Sequence, residues 1–439
     1  DNMIANIYLT RTFGTPTSGT TWTFSAWVKK SSNGSAINLC SRLVDGSNED
    51  RIRFTSGDAL EWSVYKSGSY AGRLVTNRLF RDNSAFYHIV CRWDTTNGTA
   101  GDRMRIYVNG TEETSFSTDT NPSSSITSNF NSSGTNYVGS VGSGEYFNGY
   151  MSHVAFVDGQ ALAPTVFGET DSTSGIWKFK PPSGVTWGTN GFHLKFENSG
   201  ALGTDSSGNT NTFTVQGNLK QSLDTPSNVH ATWNPLSPND SITYSNGNTT
   251  VTGSNSTNYS MSCSTTLGAS AGKWYWEMKH TTANANTNTC IGVANLDNYE
   301  YNQNITSGTT GYVTLRFDGE RQINGATTSS YFSTPSAGDI LMCAMDMDNG
   351  KVFFGNNGTW FGSGNPATGA NPTADILTSG TWGGTLRYLA AKFECNFGNG
   401  FFGTTAISSA GSNGNGSLFE YDVPSGYYAL NTKNINTYG

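Results

Sequence analysis

The sequence predicts an all-β protein of two antiparallel sandwiches. Three observations carry the prediction: few helix formers, apolar residues at every second position, and turn clusters at short intervals. Only 13% of the 439 residues are Asp, Glu, Lys or Arg, against about 25% in ordinary globular chains. Gly, Ser, Thr and Asn fill the gap and aromatics reach 13%. The former are turn residues, and the latter favour pleated, half-buried strands. The length is two or three domains' worth.

Each element follows from its own pattern. "TWTFSAWVKK" places Phe24, Ala26 and Val28 on one face and Thr23, Ser25 and Trp27 on the other, the period of a strand. "RMRIYVNGTEE" repeats the device, with Met104, Ile106 and Val108 inward before Asn109-Gly110, a strong hairpin signal. "GYMSHVAFVDGQAL" is a third run, ending at Asp158-Gly159. Residues 166–230 are rich in Pro, Gly and Ser, as in "KPPSGVTWGTN" and "QSLDTPSNV", and are expected to form a connector. Two strands around Asp205-Ser206-Ser207-Gly208-Asn209 are expected to pack on the first sandwich. From 231 a second β region begins. In "GKWYWEMKH", Trp274, Trp276 and Met278 alternate with Tyr275, Glu277 and Lys279.

The landmarks "TFSAWVK" (23–29), "FYHIVCRWD" (86–94), "RIYVNGTEE" (105–113) and "YFNGYMSHVAFVDGQAL" (146–162) resemble, in their order and spacing, the laminin-G / concanavalin A-like family. "GKWYWEM" (272–278), "IGVA" (291–294), "YVTLRFDG" (312–319), "GDILMCAMDMDNGKVFFGNNGTWF" (338–361) and "CNFGNGFF" (395–402) resemble the SPRY domain, also a concanavalin A-like sandwich. The resemblances imply two antiparallel sandwiches of jelly-roll type. The expected divisions are 1–165 laminin-G-like, 166–230 connector, 231–425 SPRY-like and 426–439 a C-terminal tail.

Asp346 and Asp348 stand two residues apart, which puts two carboxylates about 7 Å apart on one strand face. In SPRY domains this D-x-D-N-G segment is a strand end and its turn, and Asp348-Asn349-Gly350 has the right turn chemistry. Leu341, Cys343, Met345 and Met347 are expected behind it in the core. Glucanases of the concanavalin A-like fold carry Glu, Asp and Glu alternating on one strand. Here Glu420 has Asp422 two residues on, but Val423, Pro424 and Ser425 follow. Gly398, Gly400 and Gly403 satisfy G-x-G-x-x-G without the strand-to-helix setting a dinucleotide needs. His88, His153, His193, His230 and His280 are scattered, with no pair at zinc-ligand spacing. No catalytic residue is expected.

The net charge of −7 comes without a basic cluster, which argues against nucleic acid. No stretch approaches 18 consecutive apolar residues, so no membrane insertion is expected. The N-terminus "DNMIANIYLTRTF" lacks the layout of a secretory signal, and the absence of an initial Met leaves a removed leader open. Cys40, Cys91, Cys263, Cys290, Cys343 and Cys395 are never closer than 27 residues apart, which rules out C-x-x-C motifs. Buried thiols and disulfides both stay open.

Two kinds of site are expected. The family resemblance implies calcium at a rim, and Asp45, Asn48 and Asp50 in "LVDGSNEDR" are the candidate ligands. Glycan recognition uses aromatic platforms flanked by amides, hydroxyls and carboxylates. Tyr65 and Tyr70 in "EWSVYKSGSYAGR", Tyr299 and Tyr301 in "NLDNYEYNQN", and Trp360 in "NNGTWFGSGN" fit that pattern.

The order of a laminin-G-like sandwich, the "DTPSN" connector, a SPRY-like sandwich and the closing "YDVPSGYYALNTKNIN" resembles structural proteins of tailed, particularly marine, bacteriophages. The resemblance implies a tail or head fibre on the virion surface, adhering to host surface polysaccharide or a receptor. Its partners would include other virion proteins, and it would act as a homo-oligomer such as a trimer. The alternatives are a capsid or tail decoration protein making protein contacts only, and a polysaccharide-degrading enzyme.

Overall fold

The computed structural model describes residues 6–142, 144–236, 242–253, 262–282, 288–299, 310–377, 379–387 and 391–439. Among these residues strands make up 45% and helices 4%. The chain divides into two compact units, Asp1–Gln221 and Ser222–Gly439.

In the first unit an eight-stranded sheet runs in the order Phe116–Thr120, Ser69–Leu79, Ala59–Lys66, Asn48–Phe54, Ile37–Asp45, Gly134–Val138, Tyr8–Phe13, Thr214–Gln216. A six-stranded sheet runs Phe192–Leu194, Gly149–Asp158, Thr21–Lys30, Tyr87–Asp94, Met104–Val108, Thr111–Glu112. The alternation along Thr21–Lys30 explains the core. Trp22, Phe24, Ala26 and Val28 face inward with Trp62, Trp93, Phe130 and Phe156, and Trp22 stacks on Phe130 at 5.4 Å and on Trp93 at 6.0 Å. Burying each such ring is worth about 2–3 kcal/mol.

The other face of the six-stranded sheet is covered by the chain itself. Val90, Tyr107, Ala155 and Val157 pack under Phe167, with Leu162, Val166, Val185 and Trp187 closing over them. Trp177 donates its Nε1–H to Nδ1 of His88 at 2.9 Å. That bond leaves the proton of His88 on Nε2, which donates to Ser25 Oγ at 2.9 Å. Glycines make the close approach possible: a Cβ on Gly110 or Gly168 would stand 2.5 Å from the Trp177 ring. The segment after residue 166 is therefore a strap, and the two later strands join the sheets of the first unit at Gly149–Asp158 and Tyr8–Phe13.

The second unit repeats the plan. Lys273–His280 lies between Lys392–Asn396 and Ile340–Asp346, and Lys351–Asn356 follows. The facing sheet is built on Trp382–Arg387, Cys290–Asn295 and Tyr312–Arg316. Trp274, Trp276, Met278, Leu341, Cys343, Met345 and Met347 share the core with Trp233 and Trp382. The segment expected as a C-terminal tail is built in: Tyr428–Ala429 pairs in parallel with Lys273–His280. Ala231 and Thr432 exchange backbone hydrogen bonds with Leu430 and Val229 at 2.9 Å. The helix Thr432–Tyr438 is capped by Asn431, whose side chain accepts from Asn434 N–H.

Asp346 and Asp348 are the end of a hairpin. Asp346 accepts from Asn349 N–H (3.1 Å) and Nδ2 (2.9 Å) and pairs with Lys273 at 3.0 Å. Asp348 accepts Gly272 N–H at 2.7 Å. All six cysteines are buried and free.

Candidate functional site

While one sheet of the first unit is covered by the strap, the eight-stranded sheet turns a charged and aromatic face outward. It arises from period two within three adjacent strands. In Asn48–Phe54 the inward residues are Asp50, Ile52 and Phe54, all buried, and the outward ones are Glu49, Arg51 and Arg53. In Ala59–Lys66, Leu60, Trp62 and Val64 enter the core, leaving Glu61, Ser63 and Tyr65 outward. Direct cross-strand partners share a face. Arg51 pairs with Ser63 and Glu49 with Tyr65 on one side of this strand, and Arg73 with Ser63 and Tyr70 with Tyr65 on the other.

The charges on this face are mutually paired. Glu61 is 1% exposed and takes Arg53 at 2.9 Å and Arg73 at 2.8 Å. Glu145 takes Arg53 at 2.8 Å, Arg51 at 3.1 Å and the Asn38 amide at 2.6 Å. Arg51 also pairs with Glu49. Burial opposes the charge of Arg53, but Glu61 and Glu145 outweigh it and hold its pKa above the usual value.

Tyr65 and Tyr70 meet edge to face at 5.0 Å at one end of the face. Arg73 lies over the Tyr70 ring at 4.6 Å, and the Tyr65 hydroxyl donates to Gly68 O at 2.7 Å. Tyr70 remains 46% exposed. The neighbouring hairpin tip exposes Leu43 (37%) and Val44 (49%). The two tips are tied together, since Gly68 N–H donates to Ser47 O at 3.1 Å and Ser67 N–H to Asn48 Oδ1 at 3.1 Å.

The expected calcium ligands are not brought to one point. Asp45 is exposed, and its carboxylate accepts Ser47 N–H at 2.7 Å and the Asn48 amide at 3.0 Å; these bonds lower its pKa. Asp50 points the other way. It is fully buried, accepting Phe130 N–H at 2.7 Å and the Asn129 amide at 3.0 Å. Burial pushes it up to about 7. The physical reason lies in the hairpin: Asp45 sits at its tip, beyond the register shift between Leu43 and Asp45, whereas Asp50 lies down the next strand opposite Arg42, inward with Ile52 and Phe54.

The other sequence candidates lie elsewhere. Tyr299 turns its hydroxyl inward, to Cys263 O at 2.9 Å and Thr385 Oγ1 at 2.7 Å, and burial raises its pKa. Trp360 packs edge-on against Tyr275 at 6.4 Å. Tyr301 lies outside the described residues. Sequence reading missed Arg51, Arg53, Ser63, Arg73, Glu61 and Glu145. The alternation of "EDRIRF" and "EWSVY" carried the signal for the first strands. Glu145 enters from a turn, and nothing local announces it.

Residues 6–166 match the family model described as the concanavalin A-like lectin/glucanases superfamily, and residues 273–365 that of the SPRY domain. The chain carries a concanavalin A-like domain followed by a SPRY domain. The candidate face thus belongs to the concanavalin A-like domain. Among solved structures, the SPRY domain of human HERC1 is 19% identical, covers 33% of this chain and 86% of its own, and has a TM-score of 0.27. The TRIM65 PSpry domain is 14% identical over 37% of this chain and 89% of its own, with a TM-score of 0.29. A protein of Bacteroides ovatus titled "putative carbohydrate binding protein" is 15% identical over 50% of this chain, with a TM-score of 0.34. This chain spans 59% of that protein's length. No curated protein matches the sequence.

Proposed function

We propose that this chain is a non-enzymatic adhesin that holds host surface polysaccharide on the outward face of its concanavalin A-like domain, as a homo-oligomeric tail or head fibre of a virion. The observation that carries the binding role is the Tyr65–Tyr70 pair, Tyr70 exposed and Tyr65 half-buried, fixed beside Arg73 on the outward face of the sheet. Tyrosines fixed in this way offer sugar C–H faces an apolar wall at little entropic cost, and the paired arginines and glutamates beside them offer donors and acceptors to hydroxyls. The carboxylates that sequence offers for hydrolysis have structural work. Glu420 accepts Ser408 N–H at 2.7 Å and Asp422 accepts Ser412 N–H at 2.7 Å. The virion setting is supported by the order of the domains and the closing segment.

A second reading, a decoration protein making protein contacts, is favoured by the apolar hairpin tip at Leu43 and Val44. A glycan array carrying bacterial envelope polysaccharides, probed with the purified chain with and without calcium, decides between them. Discrete binding is expected. A flat response in both conditions overturns adhesion and leaves the protein-contact reading.

A further inference from the structure

Ser63 sits at the centre of the outward face. Its direct neighbours across the sheet are Arg51 and Arg73, which puts those two strands about 10 Å apart on either side of it. Along its own strand the same-face neighbours are Glu61 and Tyr65, each about 7 Å away. Four long side chains therefore surround one short one, and the result is a basin with serine as its floor.

Ser63 is 5% exposed, and among the described residues its hydroxyl has no hydrogen-bond partner. It is nevertheless not among the polar atoms sealed from solvent. A polar group this deep that is unpartnered yet not sealed from solvent is one a ligand can satisfy.

The walls are held before any ligand arrives. Glu61 is gripped by Arg53 and Arg73, Arg51 by Glu49 and Glu145, and Tyr65 by Gly68. Arg73 gives only its Nε to Glu61, which leaves both Nη groups for a ligand.

We propose that the basin over Ser63 is a subsite for one ring of an uncharged, hydroxyl-rich polysaccharide. Tyr70 and Tyr65 form its apolar wall, and Ser63, Arg51 and Arg73 are its hydrogen-bonding groups. This rests on the adhesion reading and adds the ligand class and the place. The charge balance selects the class. Arg51, Arg53 and Arg73 are matched by Glu49, Glu61 and Glu145. A ligand carboxylate would have to compete with a glutamate already bound, and would meet the other glutamates as like charges. A hydroxyl accepts from a free Nη and donates to a glutamate oxygen without displacing either.

The test uses the full chain and isothermal titration against neutral glucans, mannans and galactans and against acidic polysaccharides, at low and high salt. Binding to at least one neutral polymer is expected, changing less than threefold between 20 and 300 mM salt. Ser63→Leu, which fills the basin, and Tyr70→Ala, which removes its wall, are each expected to weaken it at least tenfold with the melting temperature within a few degrees of wild type. Preference for acidic polymers with a steep salt dependence overturns the proposal, as does unchanged affinity in folded Ser63→Leu; either leaves adhesion standing. Binding to nothing in the panel overturns both.

Discussion

The Glu277 carboxylate accepts the backbone N–H of Tyr421 at 2.8 Å and that of Glu420 at 2.9 Å. The Tyr275 hydroxyl donates to it at 3.0 Å. One buried side chain thus pins the segment carrying Phe419 and Val423 onto the outer face of the SPRY-domain sheet, where Tyr275, Met342, Phe353 and Tyr427 receive it. Burial raises Glu277 from 4.5 to about 7. A carboxyl whose folded pKa is raised stabilises the fold fully below its unfolded pKa, and loses that contribution as pH rises through the folded value.

Glu277→Gln abolishes this titration. The stability of wild type relative to the variant is expected to fall between pH 5 and pH 8, by on the order of 1–3 kcal/mol. Urea titrations of both proteins at several pH values measure it. A gap that stays constant or widens in favour of wild type as pH rises contradicts the assignment.

Three histidines of the first unit work in the opposite direction. His88 stacks on Trp27 at 4.5 Å and His153 on Phe179 at 3.6 Å, while His193 lies 3.3 Å from His153 between ring nitrogens. Burial lowers them to about 3, 3 and 4 from 6.5. A depressed histidine contributes stability above its unfolded pKa and loses it as pH falls. The melting temperature of this unit is expected to drop from pH 6.5 toward pH 4, and tryptophan fluorescence, through Trp177 and Trp27, reports it. Replacing His153 by Phe should flatten the curve; an identical curve would remove it from this role.

Glu61 holds two guanidinium groups apart. Glu61→Ala leaves Arg53 and Arg73 facing each other across a gap, at a cost of about 1–3 kcal/mol. Chemical denaturation reads the loss. A change under 0.5 kcal/mol would show that the network contributes nothing to stability.

Chelation is expected to change nothing. Asp45 already accepts Ser47 N–H and the Asn48 amide, and Asp50 is buried under Phe130 and Asn129. Melting curves with excess EDTA and with millimolar calcium should coincide; a calcium-dependent rise of several degrees would restore a metal to this rim.

Much of the fold was legible because strands declare themselves locally. The alternation at 21–30, 104–108 and 340–346 marks inward and outward residues without any knowledge of partners, and Asn109-Gly110 and Asp348-Asn349-Gly350 mark the turns. What was not legible depends on distant chain. Trp177 looks like part of a loop until it stacks against His88. Tyr428–Ala429 is too short to show a period, and its parallel pairing with Trp274 and Tyr275 is made across more than 150 residues. The candidate face was half visible: Tyr65 and Tyr70 stood out as aromatics near a turn, but their setting needs the register that places Arg51 and Arg73 around Ser63.

The outward face of the first sheet is the proposed ligand-binding surface. Hydrogen–deuterium exchange of the full chain, free and saturated with the polysaccharide it binds best, tests it most directly. Protection is expected in 48–54, 61–66 and 69–75, with the SPRY-domain strands unchanged. Protection confined to 291–365, with those three strands unaffected, would contradict it.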